Sequence, residues 1–160
     1  LWICSGQSNM AWALKNTDNL AAATAAAKHP NLRIVKTPDT ASNTRWSDLN
    51  ERANWKVARP DTIKDFSAVA YYFGKGLLSE GIPIGLINSS QGGSRIESWT
   101  ASLPSSKKKT FFNTRIIPYT SMPITGAIWY QGESNIKDGA AYTDKMVKLV
   151  NNWRDVWSRN

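Results

Sequence analysis

Ile84-Gly85-Leu86-Ile87-Asn88 gives the clearest indication of the fold of this 160-residue chain. It is a continuous apolar run, and such runs are typical of strands buried on both faces of a parallel sheet. Residues 1–5 and 124–130 are similar runs, and helical stretches lie between the three. Strands that alternate with helices predict an α/β domain with a mainly parallel sheet. We therefore expect residues 1–160 to form one domain, a three-layer α/β/α sandwich.

The other elements are predicted from helical spacing, residue propensity and stop signals. They are a helix at residues 21–28 ended by Pro30, short strands at 33–36 and 55–58 around a polar loop at 37–54, a helix at 62–80 stopped by Gly81, and a last helix from about Ala140. One stripe of this last helix is apolar and comprises Tyr142, Met146, Leu149, Trp153 and Trp157.

The net charge of +8 raises the question of a nucleic-acid partner. Lys107-Lys108-Lys109 is the one dense basic run, and no recognition helix or interleaved aromatic stripe accompanies it. A solvated loop is the preferred interpretation, so we expect no nucleic-acid partner. The eight Trp residues fit core packing, but aromatic side chains also line sugar clefts.

Cysteine usage and hydropathy narrow the class of protein further. The single cysteine, Cys4, allows no disulfide within the chain, and its apolar setting predicts a buried strand residue. No apolar run approaches the roughly 18 residues of a membrane span, so we expect no membrane partner. The sequence contains no Cys/His cluster that would indicate a metal site, and we expect no cofactor.

Three polar loops that contain glycine follow predicted core strands, at residues 5–10, 88–94 and 131–135. In open α/β sheets, ligands bind outside the carboxyl ends of the strands. The three loops therefore predict one shared site.

Each loop offers a chemical role and a structural alternative. Ser8 becomes a nucleophile if a base removes its proton, and a strand-to-helix turn exposes such a serine, but Ser8 can also simply cap a helix. Gly92 and Gly93 allow the backbone to approach a ligand as an oxyanion donor must, and a structural turn explains them equally well. The amide of Asn135 can donate to the same oxyanion or serve as a helix cap.

These motifs, taken in order, resemble the blocks of the sialate O-acetylesterase family, a carbohydrate-esterase branch of the SGNH hydrolases. The resemblance extends from Leu1 to roughly Trp157 and rests on residues 6–10, 66–73, 85–90, 92–94 and 129–135. It implies a flavodoxin-like SGNH fold and removal of O-acetyl groups from a carbohydrate, either sialic acid or an acetylated plant polysaccharide. It also implies a secreted or periplasmic location.

The resemblance assigns roles residue by residue. It implies that Ser8 is the nucleophile and donates its backbone N–H to the oxyanion, that Gly92 or Gly93 is a second donor, and that Asn135 is a third. Glu133 is then a carboxylate that organises its loop rather than an acid or base. The further candidates for substrate binding are Gln7, Asn9, Arg95, Gln131 and Glu133.

The sequence departs from the family pattern in its missing general base. SGNH hydrolases carry that base in a later Asp-x-x-His block, which these 160 residues do not contain. The single histidine, His29, is expected at the surface without a catalytic role. We therefore expect an incomplete domain that is nearly inactive by itself and associates with another chain through its unfinished sheet. A carbohydrate-binding protein without catalysis is the alternative function, and a basic nucleic-acid-binding domain is a third.

Overall fold

The computed structural model describes residues 1–47, 54–78, 81–103 and 110–158. Its strands are β1 (Trp2–Gly6), β2 (His29–Lys36), β3 (Lys56–Ala58), β4 (Ile84–Ser90) and β5 (Gly126–Tyr130). Its α-helices are α1 (Ser8–Ala11), α2 (Leu20–Ala26), α3 (Ala68–Leu77) and α4 (Ala141–Ser158). Shorter 3₁₀ and π segments span Leu14–Asn16, Ile96–Trp99, Phe112–Ile116, Ile117–Tyr119 and Glu133–Asp138.

The five strands form one sheet in the order β3-β2-β4-β1-β5. β1 pairs in parallel with both β4 and β5, β2 pairs in parallel with β4, and only β3 is antiparallel. Gly6, the last residue of β1, is in register with Ser90 and with Tyr130, the last residues of its two neighbours. The mainly parallel sheet is confirmed, and the three glycine-containing loops leave it side by side.

Both faces of the sheet are covered, which gives the expected three layers. Cys4 and Leu86 lie in one core with α2 and α3, whereas Ile3 and Ile87 lie in a second core with α4. Consecutive strand residues alternate between the two cores, so each central strand is apolar without interruption. Cys4 is fully buried, as expected, and burial raises the pKa of its thiol to about 12.

The start of α3 and the end of β4 differ from the prediction. α3 begins at Ala68 rather than near residue 62, because the Ser67 side chain accepts the N–H of Ala70 and caps the helix there. β4 continues through Ser90, so the loop that follows it is shorter than predicted. The apolar pattern did not include Ser89 and Ser90 in the strand, although both are buried at the end of β4.

β2 begins at His29 and includes Pro30, whereas the sequence predicts Pro30 as a helix stop before a strand at 33–36. His29 pairs with Ala58 of β3, and the pairing is irregular between His29 and Arg33. A proline is tolerated at such a strand start. His29 is half-buried rather than exposed, with its Nε2 atom 3.3 Å from the Tyr71 hydroxyl.

Some predictions concern residues outside the described ranges. The basic run at 107–109, part of the polar loop at 37–54 and the end of the helix predicted at 62–80 belong to this group. Gly81 adopts a left-handed φ of 69° shortly after α3, as a helix stop signal predicts. Within the described part of the chain, no helix combines the length and the apolar character needed to cross a membrane.

Candidate functional site

Ser8 lies at the carboxyl ends of the parallel strands, where the three loops meet. The Gln7 N–H donates to the Tyr130 carbonyl at 3.0 Å, and the Gln91 N–H donates to the Gly6 carbonyl at 3.0 Å. The turn after β1 is therefore attached to both neighbouring strands. Ser8 is the first residue of α1, and its side chain is exposed to solvent.

Gly6 is the residue that allows this attachment. Its φ is 145°, and a Cβ atom at this position would lie 2.0 Å from the carbonyl oxygen of Tyr130. A side chain here would push β5 away from β1. Gly6 therefore allows the β5 backbone to approach the turn that carries Ser8.

Gly92 and Gly93 contribute differently to the second loop. A Cβ atom at Gly92 would lie 3.9 Å from the Cβ atom of Ser8, so the Gly92 backbone lies directly beside the serine. Gly93 has a left-handed φ of 69°, and a Cβ atom there would meet nothing within 4 Å. Gly92 provides the close approach to Ser8, and Gly93 provides the turn.

Gln7 and Gln131 connect the first and third loops inside the protein. The Gln7 side chain is almost fully buried, and its Oε1 atom accepts from Gln131 Nε2 at 2.9 Å and from the Ser134 N–H at 3.1 Å. Gln131 Nε2 also lies within hydrogen-bond distance of the Ser94 carbonyl, at 3.2 Å. Both glutamines are candidates for substrate binding from the sequence, and in the structure their hydrogen bonds connect the loops.

Asn135 is buried beneath the site, with 1% of its surface exposed. Its Oδ1 atom accepts from the Ile96 N–H at 3.0 Å and from Gln131 at 2.7 Å. Its Nδ2 atom donates to Glu97 at 3.1 Å and to Asp138 at 2.6 Å. An amide nitrogen has two hydrogens, so both are engaged by carboxylates and neither is free for an oxyanion beside Ser8.

Glu97, Asp138, Lys145 and Arg95 complete an ionic cluster around Asn135. Lys145 contacts Glu97 at 2.5 Å and Asp138 at 2.7 Å, and Arg95 contacts the same carboxylates at 3.2 and 3.0 Å. Burial alone would raise the pKa of Glu97, but hydrogen bonds from Lys145 and Asn135 outweigh it and lower the pKa to about 2. Hydrogen bonds from the same two residues lower the pKa of Asp138 to about 2.

Arg95, another predicted substrate-binding residue, is part of this cluster and also reaches the third loop. Its guanidinium donates to the Ser134 carbonyl at 2.9 Å, and its side chain remains 43% exposed. Sequence reasoning missed Glu97, Asp138 and Lys145. No local pattern brings these three together, because they come from separate segments that meet only in the folded chain.

Asn9 and Glu133 form a second connection between the first and third loops. The Asn9 amide donates to Glu133 Oε1, which joins α1 to the 3₁₀ segment that starts at Glu133. The Glu133 side chain is exposed and belongs to the surface of the site. The contact joins the third loop to α1, and the organising role of the Glu133 carboxylate within its own loop stays a prediction.

Arg115 supports the second loop from below and was also missed by sequence reasoning. Its guanidinium is 2% exposed and donates to the Ser90 carbonyl at 2.8 Å and to Gln91 Oε1 at 2.9 Å. Asp39 forms an ion pair with it. The end of β4 is therefore held in place by a buried cation that arrives from a later segment.

His29 lies far from Ser8, and the described residues contain no cluster of metal ligands. His29 is the first residue of β2, whereas Ser8 follows the carboxyl end of β1, which is parallel to β4 and so to β2. The two residues therefore lie at opposite ends of the strands. Across the described ranges, no three His, Cys, Asp or Glu side chains come together as a metal site would require.

Solved structures with a similar fold include a carbohydrate acetylesterase. This enzyme, from Xanthomonas citri, is 36% identical, with a TM-score of 0.89 over 98% of this chain and 38% of its own. A protein of Arabidopsis thaliana is 20% identical, with a TM-score of 0.61 over 98% of this chain and 68% of its own, and this likeness shows the fold alone.

Sequence comparisons place the chain in a family. The sialate O-acetylesterases of Pongo abelii and Homo sapiens are each 30% identical over 99% of the chain. The chain spans 36% of the length of these two relatives. Residues 1–159 match the family described as carbohydrate esterase, sialic acid-specific acetylesterase, and the chain therefore belongs to that family.

Proposed function

We propose that this chain carries the nucleophile and the oxyanion donors of a serine esterase that removes O-acetyl groups from a carbohydrate. The observation that carries the proposal is the exposed Ser8, with the Gly92 backbone beside it, where three parallel strands end. Membership of a carbohydrate esterase family and the likeness to a carbohydrate acetylesterase support the same chemistry.

The proposed reaction proceeds through an acetyl-serine intermediate. Ser8 Oγ attacks the acetyl carbonyl while a general base takes its proton, and the backbone N–H groups of Ser8 and Gly92 stabilise the oxyanion. The tetrahedral intermediate collapses, the base returns the proton, and the sugar leaves with its hydroxyl restored. Water then attacks the acetyl-serine in the same way and releases acetate.

Asn135 has a positioning role in this proposal. The resemblance assigned it to the oxyanion hole, but its two amide hydrogens are directed to Glu97 and Asp138. Since its Oδ1 atom accepts from the Ile96 N–H, the side chain fixes the segment after Gly92 and Gly93 against the third loop. Its effect on Ser8 is therefore indirect.

The test uses a serine-directed fluorophosphonate probe and an acetate-release assay on the full-length gene product. Wild type and Ser158→Ala, an exposed serine at the end of α4, should be labelled and active. Ser8→Ala should lose both signals. Equal labelling of Ser8→Ala and wild type would show that another serine reacts.

The same experiment separates the esterase from the catalytically inactive alternative. A full-length product that binds acetylated sugars without Ser8 labelling and without acetate release would be a carbohydrate-binding protein. The comparisons give that alternative no better support than the esterase.

A further inference from the structure

The peptide unit between Ser90 and Gln91 comes directly before the Gly92 N–H that the proposed reaction uses. Its N–H donates to the Gly6 carbonyl at 3.0 Å, and its C=O accepts from Arg115 Nη1 at 2.8 Å. A peptide group is planar, so bonds at both ends fix the orientation of the whole unit. One of the two bonds comes from Arg115, a side chain 25 positions further along the chain than Ser90.

The same guanidinium also holds the side chain of Gln91. Arg115 Nη2 donates to Gln91 Oε1 at 2.9 Å. The Gln91 carbonyl in turn accepts from the Ser94 N–H at 3.3 Å and from the Ser94 hydroxyl at 2.8 Å. The peptide from Gln91 to Gly92 is trans, so its N–H points away from its C=O and therefore away from Ser94. The bonds of Gln91 thus set one direction for the Gly92 N–H.

Gly92 and Gly93 cannot hold this direction by themselves. Glycine has no side chain to pack, and it adopts left-handed and right-handed backbone angles with similar ease. The Gly92 backbone nevertheless lies beside the nucleophile, since a Cβ atom added there would be 3.9 Å from the Ser8 Cβ atom. The geometry of this oxyanion donor therefore depends on the residue before it, Gln91.

Arg115 is itself held firmly in place. Its Nε atom donates to the Thr40 carbonyl at 3.1 Å, and its Nη2 atom forms an ion pair with Asp39. The guanidinium lies 4.6 Å from the centre of the Phe111 ring, and the Arg115 carbonyl accepts from the Ser89 hydroxyl at 2.9 Å. Arginine has a planar fork of donors, and a lysine ammonium would not reproduce these directions.

We propose that Arg115 is a positioning residue for acetyl transfer: through Gln91, it fixes the direction of the Gly92 N–H for the oxyanion that forms at Ser8. The inference rests on the proposed esterase function. Arg115 and Gln91 both lie outside the motifs that carry the family resemblance. Arg115 acts on the donor rather than on the substrate, and a donor that is oriented in advance needs no rearrangement in the transition state.

The first test measures kcat and KM for acetate release, and the rate of fluorophosphonate labelling, on the full-length gene product. Arg115→Lys keeps the charge and loses the fork, and it should lower kcat and the labelling rate by about 10- to 100-fold. Gln91→Met keeps the side-chain length and loses the acceptor, and it should lower both by about tenfold. KM should stay within about twofold of wild type, because the contact to the oxyanion forms only in the transition state. Wild-type kcat in both variants would overturn the proposal.

A double variant tests whether Arg115 acts through Gln91. If it does, Arg115→Lys/Gln91→Met should be slower than Arg115→Lys by no more than about twofold, because the same contact can be lost only once. Independent effects would multiply to a loss of about 100- to 1000-fold, and that result would overturn the route through Gln91.

Two control variants separate positioning from a general loss of stability. Ile84→Ala truncates a buried side chain at the amino end of β4, opposite to Ser8, and should lower the melting temperature without lowering kcat. Arg154→Lys, an exposed change on α4, should alter neither. Equal losses of kcat in Ile84→Ala and Arg115→Lys would attribute the rate effect to stability and overturn the proposal. Gln91 is half-buried, so Gln91→Met should fold and carry the test even if Arg115→Lys does not.

Amide hydrogen exchange tests the loop without any catalysis. The N–H groups of Gln91 and Ser94 should exchange about tenfold faster in Arg115→Lys than in wild type, because exchange follows local opening. Unchanged exchange would overturn the positioning role even in an active esterase. Faster exchange in the variant, with neither labelling nor acetate release in wild type, would instead refute the esterase and leave Arg115 a purely structural contact. The two failures are therefore distinguishable.

Discussion

Gly92 and Gly93 are adjacent in sequence, but a side chain would affect them in different ways. Gly92→Ala places a methyl group in ordinary contact with Ser8, so we expect stability within about 0.5 kcal/mol of wild type and slower fluorophosphonate labelling. Gly93→Ala puts a side chain at a left-handed φ of 69°, so we expect a loss of about 1 kcal/mol in the free energy of unfolding. Denaturant melts and labelling rates on the full-length product measure both.

The opposite pattern would reassign the two glycines. If Gly93→Ala slowed labelling more than its lost stability explains, while Gly92→Ala reacted normally, Gly93 would be the neighbour of the oxyanion. The sequence alone left this choice open, because both glycines fit a donor loop. The backbone angle and the distance to Ser8 distinguish them.

Asn135 allows a test between positioning and direct catalysis. Asn135→Ala removes hydrogen bonds from two partly buried carboxylates, so we expect the free energy of unfolding to fall by about 1–2 kcal/mol together with activity. A direct oxyanion donor would behave differently, since its loss lowers kcat by about 10²–10³-fold with native stability. Parallel melts and a separation of kcat from KM on the full-length product decide between the two.

At the scale of elements, the ionic cluster joins the segment Ile96–Trp99 to α4 and should make the protein sensitive to acid. The pKa of Glu97 is lowered from 4.5 to about 2, so its stabilising contribution is complete above pH 4.5 and is lost as the pH falls toward 2. We expect Glu97→Gln to lower the melting temperature at neutral pH and to flatten its decline between pH 4.5 and 2.

The matched control is Asp155→Asn, an exposed carboxylate on α4 with no described ion pair. Melting temperatures of the three proteins across that pH range provide the measurement. Equal acid sensitivity of Glu97→Gln and wild type would show that the cluster does not contribute to folding stability.

The elements with strong local signals were predictable, and the contacts between distant segments were not. Apolar runs located β1, β4 and β5, and the apolar stripe of α4 does pack against the second core. The start of α3 was missed because a single hydrogen bond at Ser67 outweighs helical spacing before it. Nothing in the local sequence indicated that the Arg115 guanidinium binds the end of β4.

In the candidate site too, the residues within sequence motifs were predictable and the contacts between distant segments were not. Ser8, Gly92 and Asn135 could be named because motifs mark them, and the structure brings all three loops to one edge. The buried state of Asn135 depends on long-range packing. The sequence also did not show which tryptophans are in the core. Trp99, Trp129, Trp153 and Trp157 form a row of edge-to-face and tilted ring contacts at the second core, whereas Trp12 is 52% exposed.

At the scale of the whole molecule, the absence of an Asp-x-x-His block from this sequence predicts very low activity for residues 1–160 alone. Loss of one triad member in a serine hydrolase lowers turnover by about four to six orders of magnitude. Acetate release by residues 1–160 and by the full-length product measures the difference. Added imidazole should partly restore turnover in residues 1–160 but not in their Ser8→Ala variant. Comparable rates for the two lengths would show that residues 1–160 contain a base.

The edge of the sheet at β5 makes a prediction about association. Among the described strands β5 pairs only with β1, and a groove of about 520 Å³ lies between it and α4. We expect residues 1–160 to self-associate through this edge, because unpaired strand edges favour pairing between copies. Ala127→Lys, an exposed change on β5, should reduce the association, whereas Ala25→Lys on α2 should not. Sedimentation velocity at increasing concentration measures this, and identical behaviour of all three proteins would contradict the prediction.

The parallel pairing of β1 with β4 and β5 also determines when the sheet can form during synthesis of the chain. Gln7 and its partner Gln131 are 124 positions apart in the chain. A ribosome adds about 5–20 residues per second, so Ser8 emerges about 6–25 s before the third loop can close over its neighbour. Throughout that interval β1 lacks β5, one of its two sheet neighbours, and a chaperone that protects nascent apolar segments has time to bind it.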